Sequence, residues 1–537
     1  MNRQIMFITL ACSIAFGCSE TPYSGNIPWK ITPTPDLSGN IIESYALSNK
    51  LGNINLIWQQ LEQQTPSADS DASSVDDRNY KCSRTNLLFQ TFNSSTQSWG
   101  ETQILQKGVW RAVEKKEFKK DSNGVETAEF TWQYINDNIA LHNKVATDNN
   151  DNLTVAWLQD TALDDSGNEI SALSADTATY CLGKNDIVPG IYTATYSIST
   201  WTTPARFIAT PDNQIKVFDL AVNPDGKAII AWSEWDSDNF TSTVYGSHFD
   251  GIETWSTATR MGANDSDDTD SPRVKLNNND NGTVVWLQLE NGINTVKSRR
   301  YSATDNQWAE NIIDISSSSN NITELQLTMN DSDVSWVTWA ETSVTASDSQ
   351  GDIYVNSLAA DGTVGTASSI QTDLESTTIN ETNQDAFAPQ ISVDTNSNVT
   401  VAWLQRYENS ALENKWNTTG NYALWVNRLE NNSWAGAKNL SGDANVSVIS
   451  ARIVENSNKT ILSWTQNNSS LNKKEQGIYN RNYTNGAWSE SDAINDISGE
   501  IISFAISNAN TTPVTTWVVK DDDASGVTYT IGSASAK

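Results

Sequence analysis

The chain has 537 residues, 65 of them acidic and 34 basic, for a formal net charge of −31. A field of that sign disfavours nucleic acid and anionic membrane surfaces as partners, and the length exceeds an ordinary single domain unless repeats hold it in one closed body. Tryptophan is abundant, 21 residues against 4 Met and 2 His, as an architecture of repeated bulky anchors requires.

At the N-terminus, Asn2 and Arg3 precede an apolar run from Ile5 to Gly17, too short for a permanent membrane span. It ends in Ala15-Phe16-Gly17-Cys18, which resembles a bacterial lipoprotein signal. The resemblance implies that residues 1–17 are removed, that Cys18 is lipidated, and that Ser19 directs the protein to the outer membrane; a plain secretory signal is the alternative. Whether the anchored protein faces the periplasm or the exterior is left open. Residues 18–27 form a polar tether, and 28–537 read as one domain with no nucleic-acid partner, touching membrane only through its lipid.

The domain is written on one repeated phrase, clearest as QISVDTNSNVTVAWLQ from Gln390 to Gln405: two alternating apolar runs around a polar turn, the period-two pattern of a half-buried β-hairpin. Copies end at Trp58, Trp157, Trp232, Trp286, Trp339, Trp403, Trp464 and Trp517. The turns hold Asn, Asp and Gly, as in Asn223-Pro224-Asp225-Gly226 and Asn279-Asp280-Asn281-Gly282. A third run such as Tyr422 to Leu429 follows, and a second Trp (Trp99, Trp201, Trp255, Trp308, Trp434, Trp488) opens a fourth; the fifth unit lacks it. The tightest spacing, Trp286 to Trp339 and Trp464 to Trp517, is 53 residues. Four strands in such a unit predict an all-β β-propeller of four-stranded blades, eight by the anchor count with seven as the alternative. Trp29-Lys30-Ile31 reads as a displaced fourth strand whose three partners lie at the C-terminus, over Ser503 to Val519 and Gly526 to Ile531. That strand would close the ring and remove its open edges.

Ala388-Pro389-Gln390-Ile391 with Trp403-Leu404-Gln405, and Ser271-Pro272-Arg273-Val274 with Trp286-Leu287-Gln288, resemble the repeats of bacterial exported propellers loosely related to sialidases. The resemblance covers most of the chain and implies fold rather than activity. The Ser-x-Asp-x-Gly-x-Thr-Trp pattern and an arginine triad of true sialidases are missing.

Insertions at 62–84, 107–141 and 160–189 interrupt the frame, and blade topology gathers all three on one face above blades one and two. Cys82 and Cys181 fall in equivalent loops of those blades, a disulfide in an exported protein or else free thiols. In the middle insertion, VWRAVEKKEFKK and VETAEFTWQYI flank an Asp-Ser-Asn-Gly turn. This predicts a hairpin standing up from the face, the basic spot of the molecule, with Lys115, Lys116, Lys119 and Lys120 near Trp110 and Trp132. It is either a contact for an acidic glycan or protein, or a solvated edge guarded by lysines.

His142 stands in register with Ser271, where an innermost strand begins on the elaborated face. It is the candidate general base, with Tyr134, Tyr180 or Tyr192 as acid, against a structural histidine; His248 falls on the opposite face. Asp265, Asp267, Asp268 and Asp270 form an acidic cluster whose oxygen chemistry would suit calcium, against a solvated loop; no other cofactor is expected. Gln60, Gln159, Glu234, Gln288, Glu341, Gln405 and Gln466 follow the anchors by two positions, with Val519 the exception. They read as satisfying backbone groups between blades, against a multivalent ring. The sequence thus points to a monomeric binding or assembly module for a glycan or protein, with a polysaccharide lyase around His142 as the competing class.

Overall fold

The computed structural model describes residues 29–31, 40–49, 53–64, 80–108, 111–120, 126–133, 144–162, 187–197, 199–207, 213–236, 239–251, 255–263, 268–317, 320–342, 351–371, 386–406, 421–441, 446–456, 459–468, 475–507, 513–523 and 526–536. Every regular element among them is a β-strand. The strands form eight antiparallel sheets, one per anchor tryptophan, giving an eight-bladed propeller. Blade three shows the bare unit: Asn213–Val222, Ala228–Asp236, Thr241–Phe249 and Thr259–Arg260 run outward in chain order. Blade eight is completed by Trp29–Ile31, which pairs with Gly526–Ala536 from Trp29 opposite Ala536 to Ile31 opposite Ala534. The two ends of the chain therefore share one sheet, as the displaced-strand reading required.

Each anchor tryptophan fills the space between blades. Trp58, Trp157, Trp232, Trp286, Trp339, Trp403 and Trp464 are each less than 2% exposed, and Trp517 is 4% exposed. A tyrosine paired across the sheet stacks on several of them, as Tyr192 does on Trp157 at 5.8 Å and Tyr354 on Trp339 at 6.2 Å. A buried indole N–H needs an acceptor, and the residue two positions on supplies it. Nε1 donates to Gln159 at 3.0 Å, Glu234 at 2.8 Å, Glu341 at 3.1 Å, Gln405 at 2.9 Å and Gln466 at 2.7 Å. This corrects the expected assignment: the recurring Gln or Glu serves its own anchor first, and the bond to a neighbouring blade, Gln159 Nε2 to Thr85 O at 3.4 Å, is an addition. Where Val519 breaks the pattern, Trp517 lies against Gly532, and a Cβ there would come within 2.1 Å of the ring.

The first-hairpin turns stitch the blades together on one face, here the turn face. Asn277 Oδ1 accepts the N–H groups of Asn279 and Asn281, both at 3.0 Å. Its Nδ2 donates to Asp333 in the next turn, as Asn223 Nδ2 does to Asp280. The acceptors Asp280 and Asp333 hold φ of 66° and 62°, a left-handed conformation Asp tolerates better than most residues. Gly282 is thus not the turn residue the sequence pattern indicated. It opens the second strand of blade four, where a Cβ would sit 2.2 Å from Ile229 Cδ1, so its role is close approach between blades.

On the opposite, loop face, the insertions begin as extensions of the sheet. In blade one, Ile54–Gln64 and Tyr80–Asn93 stay paired as far as Gln64 opposite Cys82. The hairpin Arg111–Lys120 with Glu126–Gln133 adds to the raised part, Arg111 opposite Ser83 and Lys115 opposite Tyr80. The expected hairpin is present, but it prolongs blade one's sheet instead of standing alone.

Orphaning one buried indole tests this frame: Gln405→Leu should cost about 1–3 kcal/mol of stability. Gln405→Glu, which keeps an acceptor, should cost clearly less, as read from thermal or urea unfolding.

Candidate functional site

Each blade contributes its first strand to the central channel, and most of these strands carry a β-bulge at one level. Register shifts occur between Ile41 and Glu43, Ile215 and Val217, Asp270 and Arg273, Thr323 and Gln326, Phe387 and Gln390, Val448 and Ser450, and Ile501 and Ser503. Bulges re-aim side chains and recur beside functional sites. Below this level, the residue paired with the position just before each anchor tryptophan forms a ring. In blade order it reads Tyr45, Lys144, Asp219, Arg273, Gln326, Gln390, Arg452, Ala505.

The charges of this ring are concentrated in blades two to four. Lys144 Nζ lies 3.1 Å from Asp219 Oδ1, and the backbone N–H of Val274 donates to Asp219 Oδ2 at 3.0 Å. Arg273 and Lys275, two apart on one strand, share a face. Burial alone would push the Asp219 carboxyl up, but Lys144, Arg273, Lys275 and the Val274 N–H together hold it below its ordinary range. Lys275 is pushed down, first by desolvation and then by Lys144 and Arg273, with Asp219 opposing. It is nonetheless accessible to solvent. The Lys144 side chain is 37% exposed as well, and screening by solvent keeps the energy of such interactions modest. Three cations around one carboxylate leave an excess of positive charge, so the hairpin is not the one basic place on the molecule. The sequence reading missed the cluster because its four members lie on the first strands of three different blades, far apart in the chain. Aligning the repeats on the anchors and counting back to one position would have exposed it. A cationic patch of this kind can hold carboxylate or sulfate groups.

The residues singled out by sequence are distributed as follows. His142, Trp110, Tyr134, Tyr180, Cys181, Asp265 and Asp267 lie outside the described residues, as do the side chains of Cys82, Lys115, Lys116, Lys119, Lys120 and Trp132, whose backbones are in the strands above. Lys144, two residues after His142, opens blade two's first strand and joins the cationic cluster. Tyr192, weighed as an acid, is a core residue at 3% exposure. Asp268 Oδ1 accepts the Ser242 N–H at 2.8 Å, and Asp270 Oδ1 accepts the Ser271 N–H at 2.6 Å. Both described carboxylates of the acidic cluster therefore cap backbone groups, the first across the junction of blades three and four. No group of three metal-ligating side chains occurs among the described residues. His248 packs on Tyr301 at 4.6 Å between blades three and four, and burial lowers its pKa despite a hydrogen bond with Asn306.

No family model and no curated protein matches the chain. Among solved structures it is similar to an ulvan lyase, of a polysaccharide lyase family, bound to -[GlcA(1-4)Rha3S]-, with 10% identity over 95% of each chain and a TM-score of 0.41. An α-L-arabinanase of Penicillium chrysogenum complexed with arabinobiose matches at 10% identity over 60% of this chain and 94% of its own, TM-score 0.36. A protein of unknown function from Dyadobacter fermentans matches at 10% identity over 69% and 91%, TM-score 0.33. With scores this low, these likenesses assign the chain no activity.

The cluster predicts two opposite pH effects. Because the folded pKa of Asp219 is depressed, its charge stabilises the fold above the unfolded value near 4 and that contribution is lost as pH falls through the folded value; Asp219→Asn should therefore be destabilising at neutral pH and progressively less so in acid. Lys275 has a depressed folded pKa as a cation, so holding its charge costs stability at neutral pH. Lys275→Gln should raise the melting temperature at neutral pH, with the gain shrinking as the pH rises through the lysine's folded value.

Proposed function

We propose that this chain is an exported, lipid-anchored propeller that holds an acidic glycan where Lys144, Arg273 and Lys275 line its channel. The observation that carries the reading is that cluster, built into a protein of net charge −31. Surface lysines on an acidic protein keep it dispersed, but three cations gathered around one carboxylate leave local positive charge for an anionic ligand. A linear polyanion presents repeated carboxylates or sulfates and is narrow enough to enter a channel mouth. The long-range field of the whole protein opposes its approach, so contact should depend on the local cations rather than on steering.

Lipidation of Cys18 gives the site a direction. Trp29 pairs with the last described residue of the C-terminal strand, Ala536, and so enters blade eight at the turn face. A tether attached there would hold the turn face toward the outer membrane and present the loop face, with the paired hairpin and the channel mouth, away from it. His142 precedes Lys144 by two residues in the sequence, so an enzyme reading and a binding reading point to one neighbourhood and differ in turnover.

Affinity electrophoresis of the mature protein in polygalacturonate, chondroitin sulfate and dextran gels tests the proposal. Retention is expected in the two acidic gels only, and Arg273→Ala combined with Lys275→Ala should weaken it about tenfold or more, each tenfold being about 1.4 kcal/mol. Equal retention in dextran, or retention unchanged in the double variant, would overturn it. If unsaturated uronate products accumulate and His142→Ala abolishes them, the protein is a lyase and the binding reading gives way.

A further inference from the structure

A second cavity lies far from the channel, between blades six and seven. It measures about 790 Å³ and is lined by the third and fourth strands of both blades, toward the turn face. That size is within the roughly 300–1,000 Å³ usual for small-ligand sites. Its origin can be read from the neighbouring interfaces. At three interfaces, a third-strand side chain two positions beyond the residue paired with the anchor tryptophan reaches back to a carbonyl of the preceding blade. Arg299 Nη1 donates to Arg260 O at 2.7 Å, Asn356 Nδ2 to Ile315 O at 2.8 Å, and Asn427 Nδ2 to Ile370 O at 2.9 Å. The corresponding residue of blade seven is Arg481, from the pairing of Trp464 with Tyr479. Its Nε is buried without a partner, and it lines the open cavity. Arg481 Nε does not make the bond seen at those three interfaces, and the residue instead lines the space.

The remaining walls define what would fit. Tyr483 and Trp488 meet at 5.3 Å with their rings inclined by 59°, and the Arg428 guanidinium covers Tyr483 at 4.5 Å. Arg428 is already committed, donating to Glu430 and Thr460 and pairing with Asp394. Glu430 also accepts the Tyr483 hydroxyl at 2.9 Å and is one-third exposed at the cavity edge. Gly436 and Gly486, in left-handed turns with φ of 97° and 81°, keep the opening free of side chains.

We infer that this cavity is a binding site for a single uronate unit of a glycan, its carboxylate on Arg481, its ring against Tyr483 and Trp488, and a hydroxyl donating to Glu430. A planar carboxylate matches the guanidinium fork. The aromatic pair offers apolar area to a ring that is apolar on its faces and polar at its rim. Glu430 welcomes hydroxyl donors and repels a doubly charged phosphate. The site does not depend on the channel reading, since it is built on different blades and opens on a different side of the ring.

Saturation-transfer NMR on the mature protein, with glucuronate, glucose and inorganic phosphate as probes, decides the matter. Glucuronate is expected to give a saturable signal at concentrations where glucose and phosphate do not. Arg481→Gln should weaken it about tenfold, the scale of a lost charge-assisted pair. Ala487→Phe, which fills the cavity from an exposed position, should abolish the signal, and thermal melts of both variants establish that they fold. All of these proteins carry Arg273→Ala and Lys275→Ala as a common background, which removes the channel cations, so the signal reports this cavity whether or not the channel reading holds. In that background, phosphate binding as well as glucuronate, no saturation by glucuronate, or full binding by folded Ala487→Phe would each overturn the inference.

Discussion

One buried indole N–H per blade is the constraint on which the structure turns. Placing a large aromatic between radial sheets excludes water from every interface, but it also buries a donor that must be met. The acceptor two residues on lies on the same side of the strand, because side chains alternate with a period of two. Trp157 with Gln159, or Trp464 with Gln466, is thus a self-contained unit that can be copied without reference to its neighbours. Blade eight departs from the pattern: Val519 stands where the acceptor does elsewhere, and the ring of Trp517 lies against Gly532.

Because the frame is met locally, the remaining positions are free to differ. The ring of first-strand residues varies from Tyr45 through Lys144, Asp219 and Arg273 to Ala505 without disturbing the pairing behind it. Charge is therefore placed in the channel at the cost of its own desolvation and at little cost to the sheets. Asp219 is what makes the arrangement tolerable: one carboxylate, tied to the Val274 N–H, offsets part of the repulsion among three cations.

The interfaces follow a similar division. Between blades three and four, and between blades four and five, the stitch is double: a side chain reaches a carbonyl at the outer strands and an Asn-to-Asp bond joins the turns. Between blades six and seven the outer stitch is open, while the inner one is replaced by a buried network. There Arg428 joins Asp394, Thr400 and Thr460, and Glu455 accepts from Ser392 and Thr460. Burial pushes the Glu455 carboxyl up to about 7, against the hydrogen bonds of Ser392 and Thr460 and the charge of Arg428. An interface held at its inner half by such a network can leave its outer half open as a cavity.

Much of the fold was legible in the sequence because each signal is local. Eight Trp-anchored hairpins, their polar turns, the displaced Trp29 strand and the hairpin of 111–133 all follow from alternation and spacing over a few tens of residues. The turn role of Gly282 was misread, since the close approach of Ile229 that requires it comes from another blade. For the same reason Lys144, Asp219, Arg273 and Lys275 passed as scattered charges. The sequence by itself determined the blade and its closure, and the sheets fixed the count at eight against the alternative of seven. Which side chains meet across two interfaces, in the channel or at Arg481, was decided only by the tertiary structure, because those contacts join residues of separate repeats that nothing in either repeat specifies alone.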